Sequence, residues 1–130
     1  MSPETPPGPA PPANAVSFDP VALERLHELD PDGRHGVLPR VLTAFETSLS
    51  RLLVQLAAEL EDGDASVVAH VAHTLKSSSA SVGAAELSQA CANVERRLRS
   101  GEPGSLEADI QRLLLAGEGA LGAVRAMLRT

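Results

Sequence analysis

The chain has 130 residues and a formal net charge of −6, which suits one domain and leaves no room for a nucleotide-binding kinase domain beside it. An acidic chain with no basic block beyond Arg96-Arg97 lacks the cationic face of a nucleic-acid reader. Apolar residues make up 43% of it, but Phe18 and Phe45 are its only aromatics, so the core must be built from Leu, Val and Ala, and an all-helical domain is expected.

Six of the first twelve residues are proline. Residues 1–16 are therefore predicted to form a disordered or polyproline-like tail or linker, with the folded domain spanning 17–130. Structure is expected to begin at Phe18-Asp19-Pro20, where Asp19 can cap a short helix that opens on Pro20 and runs to Leu29. Asp30-Pro31-Asp32-Gly33 breaks it.

A long second helix follows, from Val37 to Glu61. Leu38, Val41, Phe45, Leu49, Leu52, Leu56 and Leu60 recur at spacings of three and four and form one apolar stripe. Asp62-Gly63-Asp64 ends it, and Asp64 can cap a third helix, Ala65 to Ser81. Gly83 separates that helix from a fourth, Ala84 to Ser100, whose inner face carries Leu87, Cys91, Val94 and Leu98. Gly101-Glu102-Pro103-Gly104 stops the fourth, and Ser105 can cap a fifth, Leu106 to Leu128, with Leu106, Ile110, Leu113, Leu121, Val124 and Leu128 inward. Gly117, Gly119 and Gly122 each cost that helix about 1 kcal/mol against alanine; either it bends there or small residues let a neighbour approach. Short loops between helices two to five imply an antiparallel up-down-up-down four-helix bundle, with the first helix across one end.

The third helix carries the chemistry. Val68, Val71, Leu75 and Val82 share its core-facing arc, and His73 falls about 180° away, pointing to water. Lys76 is three residues on, and Ser77 four, almost directly above the imidazole. An exposed imidazole is a good nucleophile near neutral pH, and an adjacent ammonium can offset the negative charge of a phosphoryl group placed on it. Small serines leave room for such a group and for a partner's surface.

The stretch His73, Leu75, Lys76, Ser78, Ser79, Val82 and Gly83 resembles the core motif of the histidine phosphotransfer (HPt) domain family: His-x-Leu-Lys-Gly-Ser/Ala-Ser/Ala, then a hydrophobic-Gly pair. The resemblance continues through Ala84-Ala85-Glu86-Leu87, Cys91, Val94-Glu95 and Arg99-Ser100-Gly101, and covers about residues 18 to 104. It implies a four-helix bundle that relays phosphate between receiver domains of response regulators, among them those of hybrid sensor kinases. His73 would be phosphorylated through Nε2, Lys76 would stabilise the phosphoryl group, and Glu95, at the edge of the fourth helix's apolar stripe, would hold the Nδ1 proton. One departure is Ser77, where the family most often has glycine; its hydroxymethyl group either crowds the phosphoryl group, donates to it, or bonds back to the His73 carbonyl.

Simpler readings apply elsewhere. His70 and His73 lack a third ligand nearby, so no metal site is expected, and His70 is a flank residue. His27 and His35 read as surface or loop residues, Arg96-Arg97 as a solvated pair, and Cys91 as a small buried filler. The serine run lacks a nucleophile elbow and a triad, and no glycine-rich phosphate loop supports ATP binding. The expectation is a monomeric, cytoplasmic phosphocarrier and not an enzyme. It needs no cofactor, touches neither membrane nor nucleic acid, and has receiver domains as partners. A non-phosphorylated adaptor on the same bundle is the alternative, and a small enzyme using His73 as general base a more distant third.

Overall fold

The computed structural model describes residues 18–129, all of whose regular elements are helices: α1 (Pro20–Glu28), α2 (Val37–Asp62), α3 (Ala65–Val82), α4 (Ala85–Ser100) and α5 (Leu106–Leu128). The tail expected over 1–16 lies outside the described residues. The five expected helices are all present, with ends displaced by no more than a residue. Their caps follow the residue chemistry: the carboxylates of Asp19 and Asp64 accept from Val21 N and Ser66 N, and the Ser105 hydroxyl accepts from Ala108 N. Gly63, Gly83 and Gly101 end α2, α3 and α4 in the left-handed conformation.

The pairings show an antiparallel bundle. Along α2 and α5, Arg125 reaches Glu46 while Leu53 lies against Gly117, so one helix rises as the other falls. Arg97 near the end of α4 meets Asp109 at the start of α5, and α3 packs along both α2 and α4. The core is aliphatic, with Leu49, Leu56, Leu75, Leu87 and Leu113 fully enclosed. Phe45 is the one aromatic in it, met edge-on by Phe18 at a centroid distance of 6.2 Å.

α1 crosses the α3–α4 end. Asp19 N donates to the Gly83 carbonyl at 2.7 Å. A side chain at position 83 would meet the Asp19 backbone at 2.9 Å, and φ there is +82°, so both the turn and the docking of α1 require glycine.

Two expectations need correction. Leu60 is exposed, while Leu42 and Leu53 join the core. At that end of α2 the buried position falls to Glu59, whose Oε1 accepts from Asp64 N at 2.9 Å and so closes the α2–α3 turn. Arg97 does not lie on a solvated face: its guanidinium folds onto Asp109, which is 1% exposed, and its Nη1 donates to the Glu102 carbonyl. The short α4–α5 connection brings Asp109 within its reach, whereas Arg96 stays exposed. Asp30 does more than break a helix. Burial pushes its carboxyl up, but bonds from the backbone N–H groups of His35 and Val37 outweigh that and hold it low.

The glycines of α5 divide. A Cβ at Gly117 would collide with a methyl of Leu53, whereas one at Gly122 meets nothing within 4 Å. Close approach to α2, through a helix that stays continuous, is thus the role of Gly117. Gly122→Ala is expected to stabilise by up to about 1 kcal/mol through helix propensity. Gly117→Ala is expected to lose about 1–3 kcal/mol through overpacking against Leu53. Urea denaturation of the two variants measures both.

Candidate functional site

α3 is fixed from below by Val68, Val71, Ala72, Leu75, Ser79 and Val82, all buried. That set turns His73 outward, and its side chain is 67% exposed. The ring stands at the edge of α3 that faces α4. There its Nδ1 lies 3.2 Å from Oε1 of Glu95, and Lys76 Nζ lies 2.9 Å from Oε2 of the same carboxylate. Glu95 reaches across to α3 and not along its own helix.

The carboxylate is mostly covered, with 15% of its side chain exposed, while Lys76 keeps 37%. The Lys76 ammonium is at ion-pair distance from Oε2 but outside hydrogen-bond geometry. Lys76 and then His73 hold the Glu95 carboxyl below its ordinary 4.5, against the opposing effect of burial. A carboxylate only accepts, so Nδ1 must carry the proton. The lone pair is then on Nε2, on the far side of an exposed ring.

Sequence reasoning brought His73, Lys76 and Glu95 to one place, and the structure joins all three. It did not anticipate that Lys76 pairs with Glu95, because the α3–α4 register decides that contact. Nor did it find Ser88, whose hydroxyl donates to the Lys76 carbonyl at 3.1 Å and ties α4 to the turn of α3 that carries the lysine. Ser77 is exposed one turn above the ring, and its hydroxyl makes no hydrogen bond, so the back-bonded arrangement is absent there. Ser78 and Ser81 do bond back, to the carbonyls of Thr74 and Ser77. Ser79 is fully buried on the core face of α3. Cys91 is enclosed beneath the site, and burial, followed by the Glu95 carboxylate, pushes its thiol up to about 12, so it is a packing residue and not a nucleophile. His27, His35 and His70 are exposed. Among the described residues no group of three His, Cys, Asp or Glu side chains gathers as a metal set, and no helix is long and apolar enough to cross a membrane.

The family model for the Hpt domain matches residues 40–129, which include α3, α4 and every residue of this site. The chain belongs to the Hpt domain family. It is a histidine phosphotransfer intermediate of phosphorelays, a family of phosphocarrier modules whose partners are receiver domains. The crystal structure of histidine-containing phosphotransfer protein B (HptB) from Pseudomonas aeruginosa PAO1 is similar to this Hpt domain, with a TM-score of 0.68 and 29% identity over 86% of this chain and 90% of that one. No curated protein matches the chain.

The pairing fixes a pH dependence. Because Glu95 is held low, its contribution to stability is complete above 4.5 and is lost as the pH falls through the lowered value. Lys76→Met removes the larger cause, so the Glu95 carboxyl should titrate closer to 4.5 in that variant, as followed by NMR of the side-chain carboxyls. An unchanged Glu95 titration would contradict the ion pair.

Proposed function

We propose that His73 is the residue that carries the phosphoryl group, through Nε2. The observation behind this reading is the exposed ring with Nδ1 engaged by Glu95, which leaves one nitrogen free and nucleophilic. Attack by Nε2 on the acyl phosphate of a receiver aspartate forms the N–P bond as the P–O bond to the acyl oxygen breaks, and the electron pair leaves with the carboxylate. The aspartyl phosphate is already energetic, so the domain contributes mainly position and charge.

Lys76 has a second task in this scheme. Its partly exposed ammonium lies one turn from His73 and can meet the incoming phosphoryl oxygens. Ser77, exposed with a free hydroxyl, borders the same space. Beside Lys76, a groove between α3 and α4 is lined by the small residues Ala80, Gly83, Ala85 and Ala92 together with Asp19, Ser88 and Gln89. We take the domain to act as a monomer in the cytoplasm, where receiver domains reside, and to serve receivers of the kind found in hybrid sensor kinases.

Phosphotransfer from a labelled receiver tests the assignment. His73→Gln should take up no acid-labile phosphate while melting as the wild type does, and an adaptor that bound receivers without carrying phosphate would never have been labelled. Lys76→Ala should slow transfer roughly tenfold, the equivalent of about 1.4 kcal/mol in the barrier. Label that survives in the His73→Gln variant would overturn the assignment.

A further inference from the structure

α4 has a second polar flank, turned away from His73. It presents Glu95 to α3, while on the opposite side Asn93 and Arg97 face α5. There the two helices leave a pocket of about 340 Å³, lined by Ala90, Val94, Arg96, Arg97, Asp109 and Arg112. We propose that this pocket binds a small phosphate monoester, gripped by the guanidinium groups of Arg96 and Arg112 above a floor made by Arg97. The proposal does not depend on His73 as the carrier.

The floor is pinned in place. Nε and Nη2 of Arg97 both donate to Oδ2 of Asp109, a residue that is 1% exposed, and Nη1 donates to the Glu102 carbonyl. The α4–α5 connection lies flat against the same side chain: a Cβ at Gly104 would sit 2.9 Å from Cδ of Arg97. Arg97 thus brings a fixed positive charge, with one hydrogen on each terminal nitrogen still unused.

The two groups above it are uncommitted. Arg112 is 67% exposed and touches Asp109 through Nη1 alone, which leaves Nη2 and Nε unengaged. Among the described residues Arg96 has no hydrogen bond or ion pair, and it is exposed. Three guanidinium groups therefore face two carboxylates, those of Asp109 and Glu102, and both oxygens of Asp109 are already taken. One positive charge is left over, in a chain whose net charge is −6. The overall field of the chain repels anions, so a local surplus of this kind draws an anion to one place.

The number of donors selects the anion. A carboxylate has two oxygens and one charge, and a single guanidinium fork satisfies it. A phosphate monoester has three free oxygens and close to two charges at neutral pH, which suits two forks from different helices over a third cation. Ala90 and Val94 supply an apolar wall for the ester group, and the volume lies at the lower end for small-molecule clefts.

Titration with inorganic phosphate and with phenyl phosphate, followed by NMR of the backbone and arginine side chains at constant ionic strength, tests the site. Both should shift the signals of Asn93, Arg96 and Arg112 in a saturable way, phenyl phosphate with half-saturation at about 1 mM and inorganic phosphate severalfold higher. Acetate should bind roughly tenfold more weakly than phenyl phosphate. Arg96→Gln combined with Arg112→Gln should leave the fold intact, since both side chains are exposed, and should weaken phenyl phosphate roughly tenfold or more. Glu102→Gln, which removes an opposing charge, should tighten it. Shifts that rise without saturating, that centre on Lys76 and Ser77, or that persist unchanged in the double variant would overturn the proposal, as would acetate or inorganic phosphate binding as tightly as phenyl phosphate. Uptake of label by His73 is a separate measurement, and its failure would leave the outcome of this titration standing.

Discussion

One carboxylate organises the site. Glu95 stands between an imidazole on α3 and an ammonium one turn further along the same helix, and contacts both from α4. Because it can only accept, it dictates which ring nitrogen bears hydrogen and therefore which one is free to react. Because Lys76 engages its other oxygen, the carboxylate is held by charge as well as by the packing of α4 under α3. The arrangement depends on two helices held in register, with Nε2 of the ring turned outward.

The scaffold supplies that register through its ends. Gly83 makes a turn too tight for any side chain, and the backbone of Asp19 binds it so that α1 closes the α3–α4 end. Ser88 joins α4 to the carbonyl of Lys76, a bond that fixes the two helices at the level of the site. Away from the site, carboxylates do similar work: Asp30 gathers N–H groups at the start of α2, Glu59 closes the α2–α3 turn, and Asp109 draws Arg97 across the α4–α5 junction. Single charged or polar side chains at the connections thus align a core made of interchangeable aliphatic residues, since uniform Leu/Val/Ala packing does little by itself to choose among registers.

Much of this was legible in the chain. Cap residues and glycines carry strong local meaning, so helix ends could be read almost to the residue. The stripe Val68, Val71, Leu75 and Val82 was enough to turn His73 outward, because α3 is regular and its apolar arc narrow. What could not be read were contacts that depend on how far one helix slides along another. Arg97 looks like a surface charge until α5 brings Asp109 under it, and Lys76 looks committed to solvent until α4 brings Glu95 beside it. Leu60 misled for a related reason: it continues the spacing of the α2 stripe, but the last turn of α2 gives its inward position to Glu59, which the α2–α3 turn needs. The glycines of α5 were ambiguous because only the position of Leu53 distinguishes Gly117 from Gly122.

The most direct test of the central claim is to find which nitrogen of which histidine takes the phosphoryl group. Phosphorus–nitrogen coupling, measured by NMR on the domain with isotopically labelled histidine after phosphorylation by a receiver, reads this without any substitution. The account predicts coupling to Nε2 of His73. Coupling to Nδ1 of that ring, or to any nitrogen of His70, which is also exposed, would contradict it.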